Sequence, residues 1–533
     1  MDAGACRPVI APTAVRAHAL PARAALLRAA PSILVGAGIA AAAVMMGAGV
    51  SLAPPLLVAG ALAAVALMVA VAVHPPLTAY LLIGITPLVA GIDRDRLVPV
   101  LRPAEALAVV LAGGLCAGGL IRLRTGSLPR WRPTRTDLSI LALAVTSSVV
   151  PLAWMVVRHV DVTQDDILYA LMMWKYYGVY LLVRYSVRTA VEVRRCLWIS
   201  MASAAVVAVI AILQSLQLFG VPHLLAGLYT PYGVVDELAN SRGGATLSLP
   251  IAVADLMILN LGIAVGLLLK TSGRRALLGA AACLFVMGVL ASGQISALIA
   301  LAIALVSLAV LTRRARILGA FGIIAATAGV LLRPVIERRL AGFGSASGLP
   351  VSWEGRWSNL TNHFWPPLFS HLNFLLGVRV SARVPASGIA TGYIWIESGY
   401  TWLLWAGGLP LLAAFGYFLW LHLTRAVGLA HADGPVACAA LALATGLIVI
   451  AVLMTIDPHL TYRGSADLLF ALIALIGVAD PAGGERLAAT DGGRARNDGR
   501  PATRARPAPT SPAGPPASRT TRSPAWSASR TSP

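Results

Sequence analysis

Apolar runs of about 17 to 22 residues recur along almost the whole chain, and each is long enough to cross roughly 30 Å of hydrocarbon. The 533-residue chain is 58% hydrophobic and only 12% charged, with a mean hydropathy of +0.79, which soluble globular domains do not approach. Because lipid offers the backbone no hydrogen-bond partners, spanning segments must satisfy their own backbone groups. The sequence therefore predicts an all-α, polytopic transmembrane helical bundle of about 12 to 14 spans.

The apolar runs also place the individual helices. A re-entrant or broken helix is the alternative at SLAPPLL (51–57) and at ASGQIS (291–296), where two runs are separated by few residues. The predicted spans are 32–50, 52–73, 77–92, 103–121, 137–157, 166–184, 197–217, 246–269, 276–292, 294–311, 317–332, 400–421, 435–456 and 464–479.

Outside the spans, three segments have a different composition. Residues 1–31 contain no apolar core long enough for a secretory signal, which predicts a disordered cytoplasmic leader. Residues 480–533 are rich in Pro, Ser, Thr and Arg and too poor in apolar residues to build a core, so we expect a disordered cytoplasmic tail. The long loop at 333–399 separates the helices of 32–332 from those of 400–479.

The formal net charge of +20 lies mostly in the tail and in short loops. Basic residues concentrate in alternate loops, which places those loops and both termini in the cytoplasm and residues 333–399 on the outer face. This distribution suits anionic lipid headgroups and argues against nucleic acid as a partner. Arginine greatly outnumbers lysine and alanine is abundant, which suggests the coding bias of a high-GC bacterium and no more. The basic loops are 122–135, 184–195, 270–275 and 313–316.

In the long loop, aromatic residues alternate with arginine and histidine over 353–383. This pattern predicts a helix that lies on the membrane interface, and the alternative is a simple cap on the bundle. Arg356 and Arg379 carry planar guanidinium groups that match phosphate oxygens, so a lipid diphosphate is a suitable ligand at this depth. His363 lies between them.

Three further charged residues stand out because they lie in or next to apolar runs. Arg242 begins a helix, where it either extends to lipid headgroups or binds phosphate. Lys175 falls near the middle of a span, and an ionisable group at that depth needs a partner or a wet cavity. Asp255 is an intramembrane carboxylate and the candidate partner of Lys175. The pair is either structural or functional.

Two pairs of acidic residues are placed on the outer side. Asp93 with Asp95, and Asp165 with Asp166, could hold a divalent metal or supply a base. Because Arg94 lies between the first two acids, we expect salt bridges there. The chain has no GxGxxG or P-loop on a strand–helix unit, no HExxH and no GxSxG, so no metal and no cofactor is predicted.

Four segments, in this order, together resemble a known family. They are SRGGATLSLPIAVADLMILNLGIAVGLLL (241–269), ASGQISALIALAIALVSL (291–308), GRWSNLTNHFWPPLFSHLNFLLGV (355–378) and ESGYTWLLWAGGLPLLAAFGYFLW (397–420). They resemble the O-antigen ligase and polymerase family, bacterial membrane enzymes that transfer a glycan from a polyprenyl diphosphate carrier. The resemblance implies a metal-independent glycosyltransferase whose donor is the carrier-linked glycan and whose acceptor is a glycan or a lipid.

The resemblance also implies site residues. It assigns Arg242 and Arg356 to the carrier diphosphate, and we add Arg379. Gln294 stands where the family has the arginine of a Ser-Arg motif, and Glu397 stands where the family has a histidine that activates the acceptor hydroxyl. A partly buried carboxylate can act as a base. We therefore expect Glu397 to be the catalytic base, with His363 as the alternative.

Three other functions fit the same sequence. A transporter or flippase of lipid-linked glycan would place its functional charges inside the bundle, around Lys175 and Asp255. A glycosyltransferase that uses polyprenyl monophosphate sugars would use Asp93 or Asp95 as its base. A structural membrane scaffold would need none of these residues. The sequence also leaves open whether the reaction is ligation of a finished glycan or polymerisation of repeat units.

Overall fold

The fold is described from a computed structural model, which covers residues 55–94, 101–124, 133–229, 242–270, 273–340, 351–386 and 392–479. About 81% of it is helical, which confirms the all-α prediction. The predicted leader, the predicted span at 32–50 and the predicted tail lie outside the described residues, as does Asp95.

The described helices and strands follow in chain order. They are α1 (Pro55–Val73), α2 (Pro76–Val89), α3 (Pro103–Arg124), α4 (Arg135–Thr146), α5 (Val149–Val157), α6 (Gln164–Ser186), α7 (Ala190–Ser215), α8 (Val221–Leu228), α9 (Pro250–Lys270), α10 (Arg275–Ala291), α11 (Ile295–Thr312), α12 (Arg316–Leu331), α13 (Arg333–Leu340), α14 (Val351–Asn359), α15 (Trp365–Phe369), α16 (Asn373–Leu376), β1 (Arg383–Pro385), β2 (Tyr393–Trp395), α17 (Gly399–Ala430), α18 (Pro435–Leu453) and α19 (Ser465–Ile476).

Every predicted span from 52–73 onward coincides with a helix, and the span at 137–157 is made of α4 and α5 together. Among the described residues, seven helices are long and apolar enough to cross a membrane, and shorter apolar helices accompany them. The chain is therefore a multi-pass membrane protein. The seven are Pro103–Arg124, Arg135–Val157, Ala190–Ser215, Pro250–Lys270, Ile295–Thr312, Gly399–Ala430 and Pro435–Leu453.

The core of the bundle is built around α9, α18 and α19. In the most apolar windows of α9 and α18, 94% and 78% of the residues are buried, and every residue of α19 is buried. Helix α9 contacts α7, α10, α11, α18 and α19. Because these helices have no wet face, each polar side chain on them needs a partner within the bundle.

The connection between α18 and α19, residues 454–464, lies deep in the bundle. Asp467 is the third residue of α19, and it contacts Lys175, the twelfth of the 23 residues of α6. The hydroxyl of Tyr176 donates to the carbonyl of Thr461 at 2.8 Å. The polar connection therefore reaches the level of the middle of α6.

Residues 351–398 belong to the long loop that was predicted at 333–399. The chain is helical from Val351 to Phe369, through a π-helical turn at Leu360–Phe364. It then forms α16 and a two-stranded antiparallel sheet in which Val384 faces Ile394. The position of a helix on the membrane interface stays a prediction, and the β-pair was not predicted because each strand has only three residues.

Helix α17 is broken near its first third, and the 351–398 segment fills the break. Gly408 has φ 65° and ψ −157°, which lies outside the helical region, and Pro410 supplies no backbone N–H. Next to this break, the carbonyl of Trp405 accepts the N–H of Val378 at 2.8 Å. A Cβ on Gly408 would lie 2.4 Å from the carbonyl oxygen of Leu375, so only glycine permits this approach.

We expect Gly408→Ala to lower the free energy of unfolding by about 1 to 3 kcal/mol through its backbone conformation alone, with the clash against Leu375 adding to that loss. The measurement is thermal unfolding of the purified protein in detergent. Gly416→Ala is the matched control, because a Cβ on Gly416 of the same helix meets no atom within 4 Å. Equal melting temperatures for the two variants would contradict this account of the break.

Candidate functional site

Three charged side chains from distant parts of the chain meet at one end of the bundle. Arg356 comes from α14, Glu397 directly precedes α17, and Asp457 follows α18. The guanidinium Nη1 of Arg356 lies 2.6 Å from Oδ2 of Asp457, and its Nε lies 3.6 Å from Oε1 of Glu397. With all three groups ionised, this cluster, here called the Arg356 cluster, has a net charge of −1.

The sequence Glu-Ser-Gly at 397–399 fits this position for steric reasons. A Cβ on Gly399 would lie 2.4 Å from the sulfur of Met454 and 2.9 Å from the carbonyl oxygen of Asp457. The hydroxyl of Ser398 accepts the N–H of Thr401 at 3.3 Å and caps the start of α17. Glycine and the capping serine therefore bring Glu397 next to the residues that follow α18.

Glu397 is partly open to solvent, and both of its carboxylate oxygens have a donor from α14. Its side chain is 30% exposed. Nδ2 of Asn359 donates to Oε2 at 3.3 Å, while Arg356 faces Oε1. Because Asn359 and Arg356 are three residues apart on one helix, α14 orients the whole carboxylate.

Burial and the neighbouring Asp457 raise the pKa of Glu397 above its usual value, and Arg356 and Asn359 only partly offset them. For Arg356 itself burial lowers the pKa, but Asp457 and Glu397 outweigh it and the net pKa is raised. Arg356 therefore stays charged, while Glu397 accepts a proton more readily than an exposed glutamate does. This is the property that a general base needs.

His363, the alternative base, does not belong to this cluster. It lies exposed on the π-helical turn, and among the described residues no hydrogen bond or ion pair joins it to Glu397. Asn359, one turn earlier, takes the place next to the carboxylate instead.

Arg379 is held by a buried acid. Its Nη2 lies 2.6 Å and its Nε 3.2 Å from the carboxylate oxygens of Asp166, whose side chain is fully buried. Asp166 also accepts the N–H of Ser381 and forms a capping box with Thr163. These contacts join the 351–398 segment to α6, and binding of a phosphate by Arg379 stays a prediction.

Asp165, the residue before Asp166, also binds an arginine of the 351–398 segment. Asp165 forms an ion pair with Arg383, whose guanidinium also lies 4.4 Å from the ring centroid of Tyr393. The other predicted acid pair begins with Asp93, which lies 3.2 Å from Arg102. The neighbouring Arg94 lies 3.5 Å from Glu105. The described acids thus form salt bridges, and the described residues contain no group of three or more potential metal ligands.

The predicted pair of Lys175 and Asp255 does not form. Lys175 lies 2.8 Å from Asp467 at the start of α19, and Asp255 lies 2.9 Å from Nδ1 of His459. The connection at 454–464 supplies His459 to Asp255, and the first turn of α19 supplies Asp467 to Lys175. Sequence reasoning missed Asp457, His459 and Asp467, although the polar stretch IDPHLTYRGSAD (456–467) between two apolar spans was a signal for them.

Arg242 lies half-buried beside the turn between α10 and α11. The N–H of Gly243 donates to the carbonyl of Ala291 at 3.0 Å, so the segments that begin with Arg242 and with Ala291 lie side by side. A Cβ on Gly243 would lie 2.8 Å from that carbonyl oxygen. The glycine therefore permits the close approach of these two segments.

We expect Arg379→Gln to lower the free energy of unfolding by about 3 to 5 kcal/mol, because it leaves the buried Asp166 without its cation. Thermal or denaturant unfolding in detergent measures the loss. Arg333→Gln is the control, since Arg333 and Glu337 form an exposed pair on α13 that is worth about 0 to 1 kcal/mol. A loss for Arg379→Gln no larger than the control would show that the pair does not hold the segment.

The raised pKa of Glu397 predicts how stability depends on pH. Where the folded state binds the proton more tightly than the unfolded state, stability falls as the pH rises above the unfolded pKa of about 4.3. We therefore expect Glu397→Gln to be more stable than the wild-type protein near neutral pH, with the difference disappearing below that pKa. Melting temperatures measured across this pH range test the sign, and a less stable variant at neutral pH would contradict it.

The chain was compared with known proteins in three ways. No family model matches it, and neither a curated protein nor a solved structure does.

Proposed function

We propose that this membrane protein transfers or polymerises a glycan from a polyprenyl diphosphate carrier on the outer face of a bacterial plasma membrane. The observation that carries the proposal is Glu397, a half-buried and partly accessible carboxylate with a raised pKa, oriented by Arg356 and Asn359. It lies where the resembled family has its base. The acceptor would be a glycan or a lipid.

In the proposed reaction, the acceptor hydroxyl oxygen attacks the anomeric carbon of the carrier-linked sugar. The bond from that carbon to the diphosphate oxygen breaks, and the diphosphate leaves with the electron pair. Glu397 takes the proton of the hydroxyl, which changes the net charge of the Arg356 cluster from −1 to zero. Because a neutral cluster is less costly to bury, the environment favours this proton transfer.

The three arginines predicted to bind the diphosphate have different surroundings in the structure. Arg356 is already shared by two carboxylates, so we propose that it positions Glu397. Arg379 is bound to Asp166. Arg242 thus stays our candidate for stabilising the negative charge that develops on the departing diphosphate.

The basic residues support the proposed orientation in the membrane. The helix ends opposite the Arg356 cluster carry many cations, as the positive-inside rule requires of a cytoplasmic face. With that face inside, both termini are cytoplasmic and the 351–398 segment is outside. These cations are Arg122, Arg124, Arg184, Arg188, Lys270, Arg274, Arg275, Arg313, Arg314 and Arg316.

We also propose that the 351–398 segment contacts the outer leaflet. Trp357, Phe369 and Leu372 are 62%, 61% and 62% exposed, which is unusual for large apolar side chains unless lipid covers them. A segment that rests on the leaflet would keep the carrier headgroup beside Glu397.

A second candidate function is transport of a lipid-linked glycan. The observation that favours it is the presence of buried charges inside the bundle, Lys175 with Asp467 and Asp255 with His459. A transporter would need these pairs and would tolerate loss of the Glu397 carboxylate, since it forms no covalent bond.

The test is Glu397→Gln in cells that lack the wild-type gene, with surface and lipid-linked glycan analysed together. Loss of a general base costs about 10²- to 10⁴-fold, so we expect carrier-linked donor to accumulate and the product to fall by about a hundredfold or more. Accumulated single repeat units would indicate a polymerase, and accumulated finished polymer a ligase.

Glu337→Gln is the control for that test, because Glu337 is an exposed glutamate on α13. Asp93→Asn tests the monophosphate-sugar alternative and should leave the product unchanged. Unchanged glycan in Glu397→Gln would remove Glu397 from the reaction, and loss of product in Asp93→Asn would favour the alternative base.

A further inference from the structure

His459 and Asp255 form a buried dyad that the proposed reaction does not use. Nδ1 of His459 lies 2.9 Å and 3.0 Å from the two carboxylate oxygens of Asp255. The side chains are 0% and 5% exposed. The histidine comes from the 454–464 connection and the acid from α9, so the contact joins the connection to the core.

The contact fixes which ring nitrogen carries the proton. An ionised carboxylate only accepts hydrogen bonds, so Nδ1 must be the donor in the neutral imidazole, and Nε2 then has a lone pair. Nε2 is buried and has no hydrogen-bond partner among the described residues. His459 lines a small cavity together with residues of three helices, among them Ile258 of α9, Gly446 and Ile450 of α18, and Ser465 of α19.

In this state the dyad carries a charge of −1 in apolar surroundings, which is costly. A single bound proton would remove that charge. Nε2 is the nitrogen that can accept it, because its lone pair has no hydrogen-bond partner among the described residues. We propose that the dyad is a proton-binding site, in which a proton bound at Nε2 of His459 converts a buried net charge into a neutral imidazolium–carboxylate pair.

The groups that face His459 support this assignment. Asp255 is the acid from α9, while Asp457 and Tyr462 come from the same connection as His459, the Tyr462 ring centroid lying 5.4 Å from that of His459. The cavity residues of α18 carry no charge. Asp467 of α19 is neutralised by Lys175 of α6. No described cation contacts the dyad, so a proton is the positive charge that completes it.

The site is linked to the Arg356 cluster through the backbone. The N–H of His459 donates to the carbonyl of Asp457 at 2.8 Å, and the Asp457 carboxylate binds Arg356. A proton on His459 therefore adds positive charge two residues from Asp457 and favours the ionised form of Glu397. This last step rests on the proposed function, whereas proton binding by the dyad does not.

The test is solid-state NMR of the full-length protein, labelled with ¹⁵N and ¹³C at its nine histidines and reconstituted in lipid vesicles. The His459 signals are those absent from His459→Gln. We expect a protonated Nδ1 with an unprotonated Nε2 at the alkaline end of the pH range in which the protein stays folded, and two protonated nitrogens at its acid end. In Asp255→Asn the doubly protonated form should be lost from this range, because the charge that stabilises it is gone.

His422 provides the internal control. It is also fully buried and has one ring nitrogen without a partner, but its Nε2 contacts the hydroxyl of Ser139 at 3.0 Å instead of a carboxylate. Its signals should stay neutral over the same range. The proposal is overturned if His459 carries its proton on Nε2 at high pH, if it never becomes doubly protonated, or if Asp255→Asn titrates like the wild-type protein.

This measurement needs no glycan, so its outcome is independent of the proposed function. If Glu397 is the base, His459→Gln should steepen the acid limb of the pH–rate profile and shift it to higher pH, because a neutral glutamine no longer favours ionised Glu397 at low pH. Glu397→Gln should lose activity at every pH. A dyad that titrates in a protein in which Glu397 proves dispensable would leave the proton site standing and overturn the proposed function.

Discussion

Arg356 and Asp457 form the ion pair that joins the 351–398 segment to the end of α18. Asp457 is only 8% exposed, and an isolated carboxylate in such surroundings is strongly disfavoured. Its cation comes from a residue 101 positions earlier. Once Arg356 is held there, Asn359 on the same helix faces Glu397, and the orientation of that carboxylate follows. One ion pair thus anchors the segment and builds the candidate site.

The need of a buried carboxylate for a cation also applies in other parts of the bundle. Buried acids stand at the first turns of helices, where they cap the backbone and also bind a cation from another part of the chain. Asp166 caps α6 and binds Arg379, and Asp467 caps α19 and binds Lys175. Each such acid fixes both the start of a helix and the approach of a neighbour. Glu397 differs because its environment leaves it costly to ionise, which is how a reactive group differs from a structural one.

Hydropathy was sufficient to predict the apolar helices, because the thickness of the bilayer sets the length of apolar run that a spanning helix needs. It could not predict which charges would pair. Lys175 and Asp255 were matched because both lie inside apolar runs, but Asp255 meets His459 of the 454–464 connection and Lys175 meets Asp467 in the first turn of α19. Glu397 was recognised from its place before a span, whereas the polar stretch at 456–467 that contains Asp457 did not show which charge this acid would meet, since that depends on Arg356 lying across from it. The Gly-Gly-Leu-Pro at 407–410 did indicate a break in α17, and reading the span as continuous missed it.

The depth of the connection at 454–464 has a consequence for any molecule that approaches from the bilayer. The polar side chains at the level of the middle of α6 are covered by protein, since Asp467 is 3% and His459 1% exposed. A lipid headgroup that approaches from the bilayer therefore does not meet these two groups directly. The work of taking them out of water is done once, during folding, and their partners within the bundle offset it.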